Sequence, residues 1–222
     1  MVMEILPDEK LQKHIQAIKA AKDTPVRPDL MLFLDTATKY TGYAVFEVHQ
    51  SLTIKENRFA SLHQYGIFKA AKGDWQCRCL ELTSKISSFI RQLKPGWLVM
   101  EYPTFQAGTA GMAAARSGGT LELAYLCGRI SVAWEFHITK VMADTGKLFR
   151  PAYLTTFREW NGQLPKEITC QRCEDHFGIH VEHARSIENN FTDAIMLGKW
   201  FIEQSGKVGC MKGDGKAQRE DY

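Results

Sequence analysis

The chain has no apolar run long enough to cross a membrane. Its most apolar stretch, residues 120–136, is interrupted by Glu122 and Arg129, short of the ~20 apolar residues a spanning helix needs. Residues 1–22 are polar and helical in pattern, without the apolar core and small-residue cleavage site of a secretory signal. Both absences lead to the expectation of a cytoplasmic protein with no membrane partner. Charge of one sign is also scarce. The net charge of +3 is compatible with a nucleic-acid partner but does not argue for one. There is no internal repeat, no low-complexity block, no phosphate-binding P-loop, no dinucleotide glycine fingerprint and no Ser-His-Asp arrangement. Several of the six cysteines fall inside apolar helical patterns, which excludes a disulfide framework and favours a reducing compartment.

What is present is the balance of a globular domain: 45% hydrophobic and 24% charged residues in a chain of 222. Its spacing divides into an N-terminal helical extension (1–28), a folded domain (29–204) and a C-terminal tail (205–222) without periodicity, expected to be mobile. Leu11, Ile15 and Ile18 lie at helical spacing in the extension, and Pro25 and Pro28 end it. Residues 30–35 are apolar on both faces and end in Asp35, the pattern of a central strand covered on both sides. Residues 43–48 and 62–69 predict two further strands. Residues 75–93 carry a helical stripe that stops at Lys94-Pro95-Gly96, where proline cannot continue and glycine frees the backbone. A second apolar strand, 97–101, ends in Glu101. A helix apolar over much of its circumference comes next at 120–136, to be buried in the core or against a partner chain. A last strand is expected within 147–154 and helices at 165–177 and 190–204. The order β-β-β-α-β-α-β-α-α predicts an α/β fold: a mixed five-stranded sheet, a three-strand meander plus parallel strands, with helices on both faces.

Two apolar strands ending in carboxylates form a chemical pattern. A right-handed crossover sets the first and fourth strands side by side, and ligands gather at the carboxyl ends of strands in open α/β sheets. Asp35 and Glu101 would then repel, and a hard divalent cation such as Mg²⁺ or Mn²⁺ would relieve that repulsion. A third acid, Asp193, comes directly after Asn190-Phe191-Thr192. An Asn three residues ahead of an acid is also an ordinary helix start, and both roles can coexist. Three such acids can hold two ions about 4 Å apart, one activating water and one steadying the leaving oxygen in phosphodiester hydrolysis.

The stretch Leu34-Asp35-Thr36-Ala37-Thr38-Lys39-Tyr40-Thr41-Gly42-Tyr43-Ala44-Val45 resembles the first motif of RuvC-like Holliday junction resolvases, members of the RNase H-like superfamily. Leu98-Val99-Met100-Glu101 resembles their second motif, and the small-residue run through Arg116 to Leu121 resembles the segment just beyond that motif in the family. Pro165-Lys166-Glu167, opening a helix that ends at Phe177-Gly178, is similar to a third block. Asp193-Ala194 before an apolar helix resembles the last. The similarity runs in order over residues 30–204 and is closest in flavour to resolvases of bacteriophages.

The resemblance implies an RNase H-like fold and a Mg²⁺- or Mn²⁺-dependent endodeoxyribonuclease that cuts four-way DNA junctions with two ions per site. It implies a homodimer matching the junction's two-fold symmetry, in a bacterial or phage-infected cell. Asp35, Glu101 and Asp193 would bind the metals and Lys166 would contact the scissile phosphate. Asn190 stands where the family often has another acid. It would offer the metals a neutral oxygen, with Glu188 as a substitute from the preceding loop. Tyr102 and Phe105 would stack on exposed bases. Apart from the resemblance, Lys39 and Arg116, with Lys147, Arg150 and Arg158, could meet phosphates, the other reading for each being a plain solvated surface charge. Alternative readings are a nuclease of other branched DNA or RNA/DNA hybrids, and a catalytically weak junction-binding module. Cys170 and Cys173, near His176, His180 and His183, have the spacing of a zinc half-site, but Cys170, Cys173 and Phe177 also form a helical core stripe, which is the favoured reading.

Overall fold

The computed structural model describes residues 27–50, 58–103, 118–145, 151–162, 164–181, 187, 189–204, 208–210, 212 and 217–222. The expected N-terminal helix, Phe105, Arg116, Lys147, Arg150, His183 and Glu188 lie outside the described residues. Strands β1 (Arg27–Asp35), β2 (Tyr40–Gln50) and β3 (Arg58–Lys69) form an antiparallel meander. Helix α1 (Trp75–Leu93) crosses over to β4 (Pro95–Glu101), which lies parallel to β1. Then come α2 (Gly119–Thr145), β5 (Tyr153–Thr155), α3 (Phe157–Trp160), α4 (Lys166–Phe177), α5 (Asn189–Gln204), β6 (Val208–Cys210) and β7 (Gln218–Arg219). The sheet order is β5-β4-β1-β2-β3-β6, with β7 also on β3.

The unbroken apolar run in β1 has a direct structural cause. Side chains alternate across a strand, and both faces of this one are covered. Leu30, Leu32 and Leu34 pack with α1 and α2 through Leu82, Ile86, Leu126 and Ile130. Met31 and Phe33 pack on the opposite face with Cys173 and Phe177 of α4 and Phe191, Ile195 and Leu197 of α5. The alternation extends to the strand ends. Asp35 shares the parity of Met31 and Phe33, and Glu101 that of Val99, so both acids leave the sheet on the α4/α5 side.

Among the described residues seven strands replace the expected five. The two extra ones come from the tail, whose described residues are not loose. β6 pairs with Arg58–Ala60, β7 pairs with Gln64–Tyr65, and the Tyr222 N–H donates to the Ile67 carbonyl at 2.9 Å. The Tyr222 ring stacks on Phe68 with centroids 5.5 Å apart, and the Tyr43 hydroxyl donates to the Glu220 carbonyl at 2.8 Å. These strands carry two or three residues each, too few for a periodic signal.

The stop after α1 also differs in detail. The left-handed residue is Lys94, with φ of 48°, rather than a glycine, and Pro95 and Gly96 already belong to β4. Helix α2 buries one face in the core and leaves the other exposed. Leu126, Ile130 and Trp134 are buried, whereas Leu121 is 74% exposed and Phe136 75% exposed. In α4, Cys173 and Phe177 are core residues and Cys170 donates to the Asn189 side-chain oxygen, and His180, beyond the helix, pairs with Glu174. Among the described residues no helix is long and apolar enough to cross a membrane.

Candidate active site

The site is assembled from four elements. Parallel pairing of Leu34 with Met100 brings the ends of β1 and β4 together, so Asp35 and Glu101 occupy adjoining positions on one face. Neighbouring strands lie about 4.8 Å apart, where two charges repel by about 3 kcal/mol at an effective dielectric of 20. Helix α5 lies across that face and contributes Asp193, 3% exposed, and α4 contributes Lys166 at its first turn. The Lys166 ammonium donates to the Asp193 carboxylate at 3.1 Å.

The close approach of α5 depends on Gly42. A Cβ at that position would stand 1.9 Å from the Asn190 carbonyl oxygen and 2.6 Å from the Phe191 nitrogen. The glycine of the Thr41-Gly42-Tyr43 motif therefore serves the contact with α5. Asn190 lies inside the helix, and its side-chain amide donates to the Tyr40 carbonyl, which ties the start of α5 to β2. The bond uses the amide nitrogen and leaves the side-chain oxygen of Asn190 without a role in it.

Glu101 is fixed at both ends. Its carboxylate accepts a 2.9 Å hydrogen bond from the Trp160 indole, and its backbone carbonyl accepts a 2.8 Å bond from the Thr36 hydroxyl. Trp160 was missed in the sequence. Its signal was the Thr156-to-Glu159 spacing, which forms a capping box that starts α3 and delivers the indole to the site. Asp35 is the opposite case. Among the described residues none donates a hydrogen bond to its carboxylate, and part of its surface stays open to solvent.

The electrostatics arise from this crowding. Burial first, then the charges of Glu101 and Asp193, push the Asp35 carboxyl well above the usual carboxylate range, against the pull of Lys166. Burial moves Glu101 from its ordinary 4.5 up to about 7, aided by Asp193 and opposed by the Trp160 hydrogen bond. Burial also raises Asp193, against the counter-effect of Lys166. Lys166 loses some basicity to burial, but the three acids more than restore it and its pKa is raised.

Among the described residues one ammonium thus faces three carboxylates, and the excess negative charge favours protonated carboxyls. Among the described residues no three His, Cys, Asp or Glu side chains are drawn together tightly enough to grip an ion as they stand. The donor set itself fits a hard divalent cation: carboxylate oxygens only, mutually repelling, with Asp35 free of hydrogen bonds. An ion drawn into the cluster would compete with Lys166 for Asp193.

Cation binding at this cluster should depend on pH. A cation needs the deprotonated acids, and below about 7 Glu101 holds a proton. The rise in melting temperature caused by a fixed, subsaturating concentration of Mg²⁺ or Mn²⁺ is expected to be larger at pH 8 than at pH 6. Apparent affinity should fall by up to about tenfold per pH unit below 7. Scanning fluorimetry in buffered metal checks this, and an ion effect equal at both pH values would contradict it.

The remaining predicted contacts are scattered. Tyr102 is next to Glu101 in the chain, is 39% exposed, and its N–H donates to the Thr155 carbonyl at 2.7 Å. Lys39 is exposed in the β1–β2 turn and Arg158 is exposed on α3. Neither is drawn into the acidic cluster.

No family model and no curated protein matches the sequence significantly. Solved structures do match. The yeast mitochondrial Holliday junction resolvase Ydc2 is similar with a TM-score of 0.52 and 11% identity, over 89% of this chain and 94% of that one. RuvC of Thermus thermophilus is similar with a TM-score of 0.49 and 15% identity, over 80% of this chain and 97% of that one. The same protein in complex with Holliday junction substrate gives 0.49 and 16%. The chain has an RNase H-like fold, a mixed sheet with helices on both faces. Within that fold it shares the form of the resolvase Ydc2 over nearly the whole of both chains.

Proposed function

We propose that this protein is a metal-dependent endodeoxyribonuclease that cuts branched DNA, with the four-way junction as its substrate. The observation that carries the reading is the convergence of Asp35, Glu101 and Asp193 on one sheet face, with a single ammonium among the described residues to offset them. The fold shared with a junction resolvase supports the choice of substrate.

Asp35, Glu101 and Asp193 are the residues to hold Mg²⁺ or Mn²⁺, two ions per site. When bound, such ions supply Lewis-acid activation of water and charge neutralisation at the leaving oxygen of a phosphodiester. Trp160 and Thr36 hold Glu101 in one orientation. Lys166, half exposed beside Asp193, is placed to meet the non-bridging oxygens of the scissile phosphate. Exposed Lys39, four residues beyond Asp35, and exposed Tyr102, next to Glu101 in the chain, are the residues to meet a phosphate and an unpaired base. The exposed apolar face of α2, with Leu121, Tyr125, Val132 and Phe136, is the surface through which two copies would pair to address both cleavage points of a junction.

The test is incubation of the protein with a labelled four-way junction, a flap, a linear duplex and an RNA/DNA hybrid, in Mg²⁺, in Mn²⁺ and in chelator. The expected result is paired nicks in the junction, dependent on the metal, with the duplex left whole. Cutting of the hybrid or flap in preference would reassign the substrate. Tight junction binding without cutting in either metal would replace the enzyme by a binding module.

A further inference from the structure

Next to the acidic cluster is a pocket of about 140 Å³ between α3, α4 and α5, lined among others by Trp160, Arg172, Met196, Lys199 and Trp200. That is well under the roughly 300–1,000 Å³ of sites for whole drug-sized ligands, and suits a single planar ring system. The pocket and the acidic site share a wall. The Trp160 indole that lines the pocket also donates to the Glu101 carboxylate. On α5, Met196 and Trp200 lie three and seven residues beyond Asp193, about 5 and 10 Å along the axis at 1.5 Å per residue.

The chemistry of the lining is specific. Two tryptophans and a methionine put polarisable groups in the lining, beside Asn161 and Thr169. Arg172 is exposed, and among the described residues none pairs with it. Lys199 is held by both oxygens of Glu203 at 2.7 Å. Arg172 is therefore the cation available to an incoming anion. Aromatic faces with a guanidinium at the rim recognise a base and its phosphate.

We infer that this pocket takes one unpaired nucleobase of the strand whose phosphate lies in the acidic site, with an adjacent phosphate on Arg172. The inference rests on the nuclease reading and adds a selection step to it. A base in intact duplex is held in its stack, whereas a base at a branch point has lost partners and enters a pocket at lower cost. Filling the pocket loads the Trp160 wall and so reports the branch to Glu101.

Junctions carrying a fluorescent adenine analogue, quenched by stacking, at each position flanking the branch test this in chelator, where nothing is cut. Wild-type protein should quench the analogue at one flanking position and leave the others unchanged. Trp200→Ala should remove that quench and weaken junction binding about tenfold. Arg172→Ala, at an exposed position, should weaken binding without loss of folded protein and serves if the tryptophan variant melts early. Junction binding with no position quenched would overturn the inference while leaving the nuclease reading intact. Quenching of the pocket tryptophans by a free nucleoside monophosphate, undiminished by bound junction, would also overturn it. Absence of junction binding would overturn both.

Discussion

Asp35→Asn and Glu101→Gln are each expected to abolish strand cleavage while leaving the folded protein more stable than the wild type at neutral pH. The loss should be on the order of a thousandfold or more, because several kcal/mol of transition-state charge stabilisation depends on ions that these oxygens hold. The gain has a separate origin. With the Glu101 pKa moved from 4.5 to about 7, the folded protein binds a proton that the unfolded chain has already released. The favourable contribution of that proton is complete below about 4.5 and is lost as pH rises through about 7. A neutral Gln is free of this loss, so the variant's advantage should grow across that range, to a few kcal/mol at most. His137, half-buried with its pKa pushed down to about 4 by desolvation, works in the opposite sense, gaining stability as pH rises, so the comparison must be variant against wild type. Melting curves in chelator at pH 5 and pH 8, with junction cleavage in Mg²⁺, measure both effects. A variant that cuts at the wild-type rate, or that melts far below it at pH 8, would remove the acids from the role assigned to them.

Gly42→Ala is expected to be strongly damaging for a change of a single methyl group. The added carbon would meet backbone atoms of Asn190 and Phe191 at 1.9 and 2.6 Å, and no rotamer change relieves a clash with main chain. Helix α5 would have to lift from β2, breaking the Asn190–Tyr40 bond and shifting Asp193 away from Lys166. A loss of about 3 kcal/mol or more in stability is expected, at the upper end for overpacking, with loss of cleavage. Gly128→Ala is the control. A Cβ there meets nothing within 4 Å on an exposed helical position, so it should stabilise by about 1 kcal/mol. Denaturant midpoints of the two variants decide the matter, and a Gly42→Ala protein as stable as the wild type would refute the contact.

The central strands were legible because burial on both faces writes an unbroken apolar run into the sequence, and Leu30 to Leu34 and Leu98 to Met100 carry it. The placement of Asp35 and Glu101 came from strand ends and a crossover. The features the sequence did not show were set by contacts between distant segments. The partner of Asn190 is a backbone carbonyl 150 residues away, and an Asn ahead of an acid looks like a helix cap in any chain. The need for Gly42 is visible only once α5 lies on β2. Trp160 is one aromatic residue in a polar segment, and its bond to Glu101 spans 59 residues. The described tail residues pair through two short strands whose register comes from β3 and from the seating of Tyr222, neither of which leaves a period.

The segment that joins β3 has a consequence for the protein in concentrated solution. β3 is twelve residues long, and a strand of that length with a bare flank presents a row of unsatisfied amides and carbonyls to any extended peptide nearby. Here β6, β7 and Tyr222 take up that row, and the opposite flank ends in the three residues of β5. Chains that keep β6, β7 and Tyr222 in place should stay apart through this edge, and chains in which they peel away should begin to associate through it.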